Sequence, residues 1–91
     1  MNKKRDRIQV IHDILESIKL KNGKIKPTHI MYKSNLSHKM MDIYLKELIS
    51  KNFIVELQTK QGRTYSLTDK GFNFLSKYNV ILEFMDSFGL N

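Results

Sequence analysis

Apolar side chains in the first part of the chain recur at helical spacing. One series advances by three, four and three residues, and its members are Ile8, Ile11, Leu15 and Ile18. This stripe is typical of an amphipathic helix and predicts a first helix over residues 6–20, with Asp6 as its cap. The helix should end at Asn22 and Gly23, because glycine adopts the left-handed geometry at which helices stop. Ile25 then stands alone between lysines, with room for a short extended bridge.

A second, short helix is expected to begin at Pro27, since the missing N–H of proline has no partner in the first turn of a helix. The polar run at residues 34–37 breaks the helical pattern within about two turns. Ser37 is suited to cap a third helix, because its hydroxyl can accept a backbone N–H, and Leu36 can pack onto Met41. The sequence therefore predicts two helices joined by a tight turn.

The third helix has two distinct surfaces. Its apolar side is expected to pack in the core and contains Met41, Tyr44, Leu45, Leu48 and Ile49. Its other side is mostly polar and contains Ser37, His38, Lys39, Asp42, Ile43 and Lys46. We expect the helix to end at Lys51 and Asn52, with Asn52 in the left-handed region that asparagine tolerates.

The last third of the chain has the pattern of a hairpin followed by a helix. Residues 53–58 and 64–67 alternate as strands do, and the basic segment Lys60-Gln61-Gly62-Arg63 links them. Thr68 is expected to cap a final helix that runs to about Ser87. Three helices, a hairpin and a final helix predict a mainly helical α+β fold of the winged helix-turn-helix class.

Length and composition limit the domain organisation. The chain has 91 residues and no cysteine, so it is long enough for one modest core and has no disulfides or thiolate sites. We expect a single domain over residues 1–91, with a winged-helix core at 6–67 and a C-terminal helix at 68–88. No stretch approaches the ~20 apolar residues that cross a bilayer, so we predict a cytoplasmic protein with no membrane partner.

The net charge of +7 is distributed unevenly. Residues 1–70 contain fifteen Lys or Arg against seven Asp or Glu, whereas residues 71–91 contain only Lys77 against Glu83 and Asp86. A basic surface on the first three quarters of the chain favours a polyanionic partner, although a solvated lysine face has the same composition. The tail is expected to have a different role.

Two segments carry a likeness to a known family. IMYKSNLSHKMMDIYLKELISKNFI followed by YSLTDKGFNFL resembles the small archaeal winged-helix proteins of about ten kilodaltons, which are chromatin-associated or regulatory. The likeness covers residues 5–82, and it implies DNA binding and dimerisation through the C-terminal helix in an antiparallel coiled coil. Asn52 stands where that family commonly has glycine, and His38 where it often has tyrosine, so no base preference is transferred.

Duplex DNA is therefore the expected partner of a transcriptional regulator or a nucleoid-associated architectural protein. In a winged helix the exposed start of the third helix enters the major groove and the wing contacts the backbone. The candidate DNA-binding residues are Lys33, Ser37, His38, Lys39, Asp42, Ile43, Lys46, Lys60, Gln61 and Arg63. Because this third helix offers few bidentate donors, we expect modest base selectivity. Asp42 should pair with Lys39 or Lys46, or accept from a cytosine amino group.

The C-terminal helix has two adjacent lines of apolar side chains, whereas a single packing contact needs only one. We expect one line to pack on the domain near the first helix and the other to form a homodimer, because exposed apolar side chains in such number promote aggregation. The candidate dimer residues are Phe74, Tyr78, Ile81, Leu82, Met85 and Phe88. A single broad face buried within the monomer is the alternative.

Other classes of function find little support in the sequence. There is no nucleophile motif and no phosphate-binding glycine loop, and His12, His29 and His38 are too far apart for common zinc sites. We therefore expect no catalytic, metal or cofactor site. The main alternative to DNA binding is a protein-interaction module, which Met40 and Ile43 on the exposed side of the third helix favour. A third alternative, a ligand-responsive regulator, would need a pocket at the dimer interface.

Overall fold

A computed structural model describes residues 5–90 and contains four helices and one two-stranded antiparallel sheet. The elements follow the order α1 (Arg7–Leu20), α2 (Pro27–Ser34), α3 (His38–Ser50), β1 (Ile54–Thr59), β2 (Gly62–Leu67) and α4 (Asp69–Ser87). The predicted class, a mainly helical α+β winged helix, is confirmed. No helix within residues 5–90 is both long and apolar enough to cross a membrane.

The three longer helices begin at the caps predicted from the sequence. The Asp6 carboxylate accepts the backbone N–H of Gln9, and the Gln9 side chain accepts the backbone N–H of Asp6, so α1 starts with a complete capping box. The hydroxyl groups of Ser37 and Thr68 each accept a backbone N–H three residues further on, at 3.1 and 3.2 Å. These side chains satisfy donors that the first turn of a helix leaves unpaired.

Three asparagines end the first three helices. Asn22, Asn35 and Asn52 have φ values of 53°, 53° and 66°, and Gly23 after Asn22 has a φ of 76°. Asparagine tolerates this left-handed geometry better than most residues with a Cβ. The chain therefore reverses sharply after each helix, and only three residues separate α2 from α3.

The hairpin is tighter than the sequence suggested. Its turn contains only Lys60 and Gln61, whereas Gly62 and Arg63 lie in β2, so the prediction of a four-residue link was wrong. The Thr59 hydroxyl donates to the Gly62 carbonyl at 2.7 Å and accepts the Gln61 N–H at 3.2 Å, which closes the turn early. As a result, Arg63 has a fixed position in the strand register.

Ile25 extends the hairpin on its β2 side. It forms an isolated antiparallel bridge with Tyr65, whose N–H donates to the Ile25 carbonyl at 3.3 Å. The short extended bridge predicted before α2 is thus confirmed. Both side chains are buried, which ties the α1–α2 connection to the base of the wing.

The core lies around α1 and is closed by all other elements. Its fully buried apolar side chains include Ile14, Leu15, Ile18, Ile25, Ile30, Leu48, Ile54 and Leu75. The predicted apolar side of α3 faces this core, with Met41 and Leu45 each 3% exposed. The prediction for Ile8 was wrong, because its side chain is 49% exposed in the first turn of α1. There it lines a shallow groove with the C-terminal half of α4.

Candidate nucleic-acid interface

The polar side of α3 is open to solvent at its N-terminal end. His38 and Lys39 occupy the first turn and are exposed, and Ile43 and Lys46 follow on the same side. Ser37 is also exposed, although its hydroxyl oxygen already accepts the backbone N–H that it caps. The tight turn after Asn35 therefore leaves a free helix end with polar and basic side chains.

Asp42 is half-buried on this helix and is paired with a lysine. Its carboxylate lies 3.1 Å from the Lys46 Nζ, one helical turn further on. Of the pairings expected from the sequence, Lys46 is the one formed. Both side chains are largely open to solvent, so the ion pair contributes little to stability. It nevertheless neutralises one of the positive charges on the α3 surface.

The wing carries the second group of candidate residues. Lys60 and Gln61 form the exposed turn, and Arg63 follows on β2. The Arg63 guanidinium donates to the Glu56 carboxylate at 3.3 Å across the hairpin. The sequence analysis did not predict this contact, because it assigned Arg63 to the turn. Only its position in β2 brings Arg63 next to Glu56.

The two groups lie on elements that pack against each other, and Tyr65 is buried at the base of the hairpin. Glu56 and Tyr65 are directly opposite in the hairpin, and the Tyr65 hydroxyl lies 3.5 Å from a Glu56 carboxylate oxygen. Burial raises the pKa of the Tyr65 phenol, and the negative charges of Glu56 and of Asp42 on α3 raise that pKa further. The charge of Asp42 on α3 thus acts on the same phenol as Glu56 of the hairpin, although more weakly.

The lysines around α2 line other parts of the protein surface. Lys33 is exposed in the last turn of α2. Lys24 and Lys26 precede α2 and line an open cleft together with Leu57 and Thr64, on the opposite face of the hairpin. Lys33 borders a cleft with Asp13 and Glu16 of α1, whereas the other two lysines border the outer side of the wing.

Two arginines at the start of α1 hold the helix-turn-helix in place. The Arg5 guanidinium pairs with Asp13 and donates to the backbone carbonyls of Ser34 and Asn35, in the turn that precedes α3. The Arg7 guanidinium pairs with Glu47 of α3, and this hydrogen bond lowers the pKa of the Glu47 carboxyl. No sequence signal singles out these contacts, since arginines on a polar helix side are usually solvated.

Comparison with known families now places the fold. A family model described as winged helix-turn-helix matches residues 4–86. The chain belongs to the winged helix-turn-helix family. Within this winged helix α2 and α3 form the helix-turn-helix, and β1 and β2 form the wing.

Two relatives of this winged helix come from the archaeon Methanocaldococcus jannaschii. Uncharacterized protein MJ0290 is 37% identical over 78 residues, which cover 86% of this chain and 34% of that protein. Uncharacterized protein MJ0287 is 34% identical over 84 residues, which cover 92% of this chain and 80% of that protein. The chain thus spans about a third of the first relative and four fifths of the second.

Two solved structures have the same fold. Sso10a-2, a DNA-binding protein from Sulfolobus solfataricus, has a TM-score of 0.78 at 17% identity, over 92% of this chain and 85% of that chain. F93 from STIV, a winged-helix DNA-binding protein, has a TM-score of 0.73 at 16% identity, over 88% and 92% of the two chains. At such identities the likeness establishes the fold alone.

The C-terminal helix of the winged helix divides its apolar residues between two environments. Phe74 packs edge-on against Phe53, with ring centroids 5.9 Å apart, and Tyr78 stacks on His12 at 4.3 Å. These two candidate dimer residues therefore contact their own domain. Leu82 and Met85 line the groove that also contains Ile8.

The remaining candidates project into solvent. Ile81 is 57% exposed and Phe88 is 66% exposed, while Val80 and Phe84 beside them are 61% and 60% exposed. Val80 and Phe84 were not predicted, because the two lines chosen from the sequence do not include them. A signal was present, since Val80, Phe84 and Phe88 recur every four residues.

Proposed function

We propose that this winged-helix protein binds duplex DNA as a homodimer, with α3 in the major groove and the wing along the backbone. One observation carries the proposal: α3, whose N-terminal end is exposed, packs against β1 of the basic wing. Sso10a-2 and F93, which share the fold, are both described as DNA-binding proteins. The biological role is that of a transcriptional regulator or an architectural chromatin protein, located at the nucleoid.

The charged side chains divide into phosphate contacts and groups near the bases. Lys33, Lys39 and Lys60 are exposed and have no carboxylate partner among residues 5–90, so they are available to phosphates. Ser37 and His38 occupy the free end of α3, where side chains of a recognition helix meet base edges. Neither is a bidentate donor, which supports modest sequence selectivity.

The salt dependence of binding provides a direct test. If about five phosphates are neutralised per subunit, log K should fall with log salt concentration at a slope of about −4 to −5 per subunit. Fluorescence anisotropy of a labelled 20–30 base-pair duplex (roughly two to three helical turns) between low and moderate salt measures this slope. An affinity that stays flat over that range would contradict the proposal.

Single substitutions identify the surface used. Lys39→Ala at the start of α3 and Arg63→Ala on the wing should each weaken binding, because each removes a cation from the proposed interface. Lys77→Ala is the matched control, since Lys77 is exposed on α4, away from α3 and the wing. Equal losses in all three variants would mean that general charge, and not this surface, governs binding.

The homodimer is supported by the exposed apolar residues of α4. Val80, Ile81, Phe84 and Phe88 form a continuous side of the helix and its C-cap that no other part of residues 5–90 covers, and Ile8 extends it across the groove. Apolar patches of this kind on monomers are uncommon, and aromatic anchors are enriched in interface cores. A second copy of the chain is the occupant that the family resemblance favours.

A protein-interaction module is the second candidate function. Met40 and Ile43 on the outer side of α3 are 41% and 49% exposed, which suits a protein partner better than a phosphate backbone. A mobility-shift assay with duplex DNA and a scrambled-sequence competitor separates the two functions. Failure to retain any DNA would favour the docking module.

A further inference from the structure

Two basic side chains at the proposed DNA surface are already paired with carboxylates. Lys46 of α3 pairs with Asp42 at 3.1 Å, and Arg63 of the wing pairs with Glu56 at 3.3 Å. Phosphates would compete with these carboxylates for the same cations. The two pairs therefore limit how much of the basic charge is free to meet DNA.

The ion pair between Glu56 and Arg63 is the better defined of the two. The same Glu56 oxygen that accepts from Arg63 also lies 3.5 Å from the hydroxyl of Tyr65, which is buried and directly opposite in the register. The Glu56 side chain is 32% exposed, whereas Asp42 and Lys46 are 49% and 77% exposed. The carboxylate is thus held on the inner face of the hairpin, facing α3.

We propose that Glu56 restrains Arg63 and lowers the affinity of the protein for DNA, an inference that rests on the proposed DNA-binding function. To contact a phosphate, Arg63 must leave Glu56, and the uncompensated carboxylate then stays close to the DNA backbone. Both effects oppose binding through like-charge repulsion and the loss of an existing ion pair. Arg63 adds to DNA binding, but by less than a free arginine would.

Neutralising Glu56 provides the test. Glu56→Gln keeps the shape of the side chain and frees Arg63, so DNA should bind about two- to fivefold more tightly at low salt, the range expected for an exposed ion pair. The salt slope should steepen by less than the ~0.9 of a full phosphate contact, because Arg63 already contributes to DNA binding in the wild type. Glu83→Gln on α4 is the matched control, because it removes the same charge from an exposed position away from the wing.

A double-mutant cycle separates the ion pair from general charge. When Glu56→Gln is added to Arg63→Ala, it can relieve only the repulsion between Glu56 and the DNA backbone, so the gain in affinity should be smaller than in the wild-type background. A full gain in that background would overturn the inference, and so would weaker binding by Glu56→Gln alone.

The inference and the proposed function can fail separately. If the wild type binds DNA and Glu56→Gln matches Glu83→Gln, the inference is overturned and the DNA-binding function stands. If the wild type binds no DNA at any salt concentration, both are overturned. Thermal unfolding without DNA checks that each variant is folded.

Discussion

Gly71 is the residue at which α4 comes closest to the segment before β1. A Cβ placed on Gly71 would lie 2.5 Å from the backbone carbonyl oxygen of Phe53 and 3.3 Å from Leu67 Cδ2. A backbone atom cannot move aside as a flexible side chain can. Glycine is required here for close packing and not for its φ, because Gly71 lies inside α4 and not in the left-handed region.

Gly71→Ala should therefore lower the free energy of unfolding by about 1–3 kcal/mol through overpacking. The sign is informative, since glycine to alanine within a helix otherwise stabilises by about 1 kcal/mol. Urea denaturation followed by circular dichroism measures the change. Ser76→Ala on the exposed side of the same helix is the control and should change little. A stabilised Gly71→Ala protein would contradict the packing described here.

Ser34 presents the opposite case, a buried hydroxyl with no hydrogen-bond partner among residues 5–90. Its backbone carbonyl accepts from Arg5, but its side-chain oxygen is 0% exposed and unsatisfied. Because burial of an unpaired hydroxyl costs about 1–3 kcal/mol, the serine is unfavourable where it lies.

Ser34→Ala is expected to raise the free energy of unfolding by about 1 kcal/mol. Chemical denaturation of the two proteins under identical conditions measures the difference. Ser50→Ala, at an exposed position near the end of α3, is the control and should stay within about 0.5 kcal/mol. A destabilised Ser34→Ala variant would mean that the hydroxyl has a partner or packs better than a methyl group.

Individual residues were predictable where their effect is local. Asp6, Ser37 and Thr68 were identified as caps, because a cap depends on a side chain and the backbone a few residues away. The contacts of Arg5 and Arg7 were not predictable, because each joins residues at least eight positions apart. Their partners become neighbours only after the helices pack.

At the scale of elements, α4 combines two functions in one helix. Its first turns pack on the domain through Leu75, which is 1% exposed, and through Phe74 and Tyr78. Its second half carries exposed apolar side chains beyond the reach of the core. The sequence showed two lines of apolar side chains, but the line exposed to solvent is centred on Val80 and Phe84. The orientation of α4 about its own axis, as it packs on α1, decides which side faces solvent.

Changing Ile81, Phe84 and Phe88 together to glutamine should convert the proposed dimer to a folded monomer. The three side chains are exposed in the single chain, so their loss should leave the core intact. Sedimentation velocity at tens of micromolar, the range expected for a moderate protein interface, measures the mass. Phe72→Gln is the control, because Phe72 is 49% exposed on another side of the same helix. A wild-type protein that sediments as a stable monomer would contradict the dimer.

The elements themselves were predicted well because helix periodicity, proline and asparagine are strong local signals. The wing was predicted less well. Gly62 and Arg63 were assigned to the link, but hydrogen bonds of Thr59 close the turn after two residues. That difference matters for the site, because it places Arg63 next to Glu56 on the inner face of the hairpin.

At the scale of the whole molecule, the charge and the apolar surface are separated. The basic residues concentrate in residues 1–70, and most exposed apolar residues of the C-terminal segment lie between positions 80 and 90. The fold turns this separation along the chain into two surfaces, and we propose the first for DNA and the second for another copy of the chain. The order of elements predicted the fold, but only packing brings α3 and the wing to one side.

The most direct test of the proposed DNA surface is residue-level mapping of the protein bound to a short duplex. Titration of ¹⁵N-labelled protein with DNA should shift the amide signals of residues 37–46 and 59–63, while those of residues 72–88 stay unchanged. Shifts confined to α4, or to the outer face of the hairpin around Leu57 and Thr64, would contradict the account.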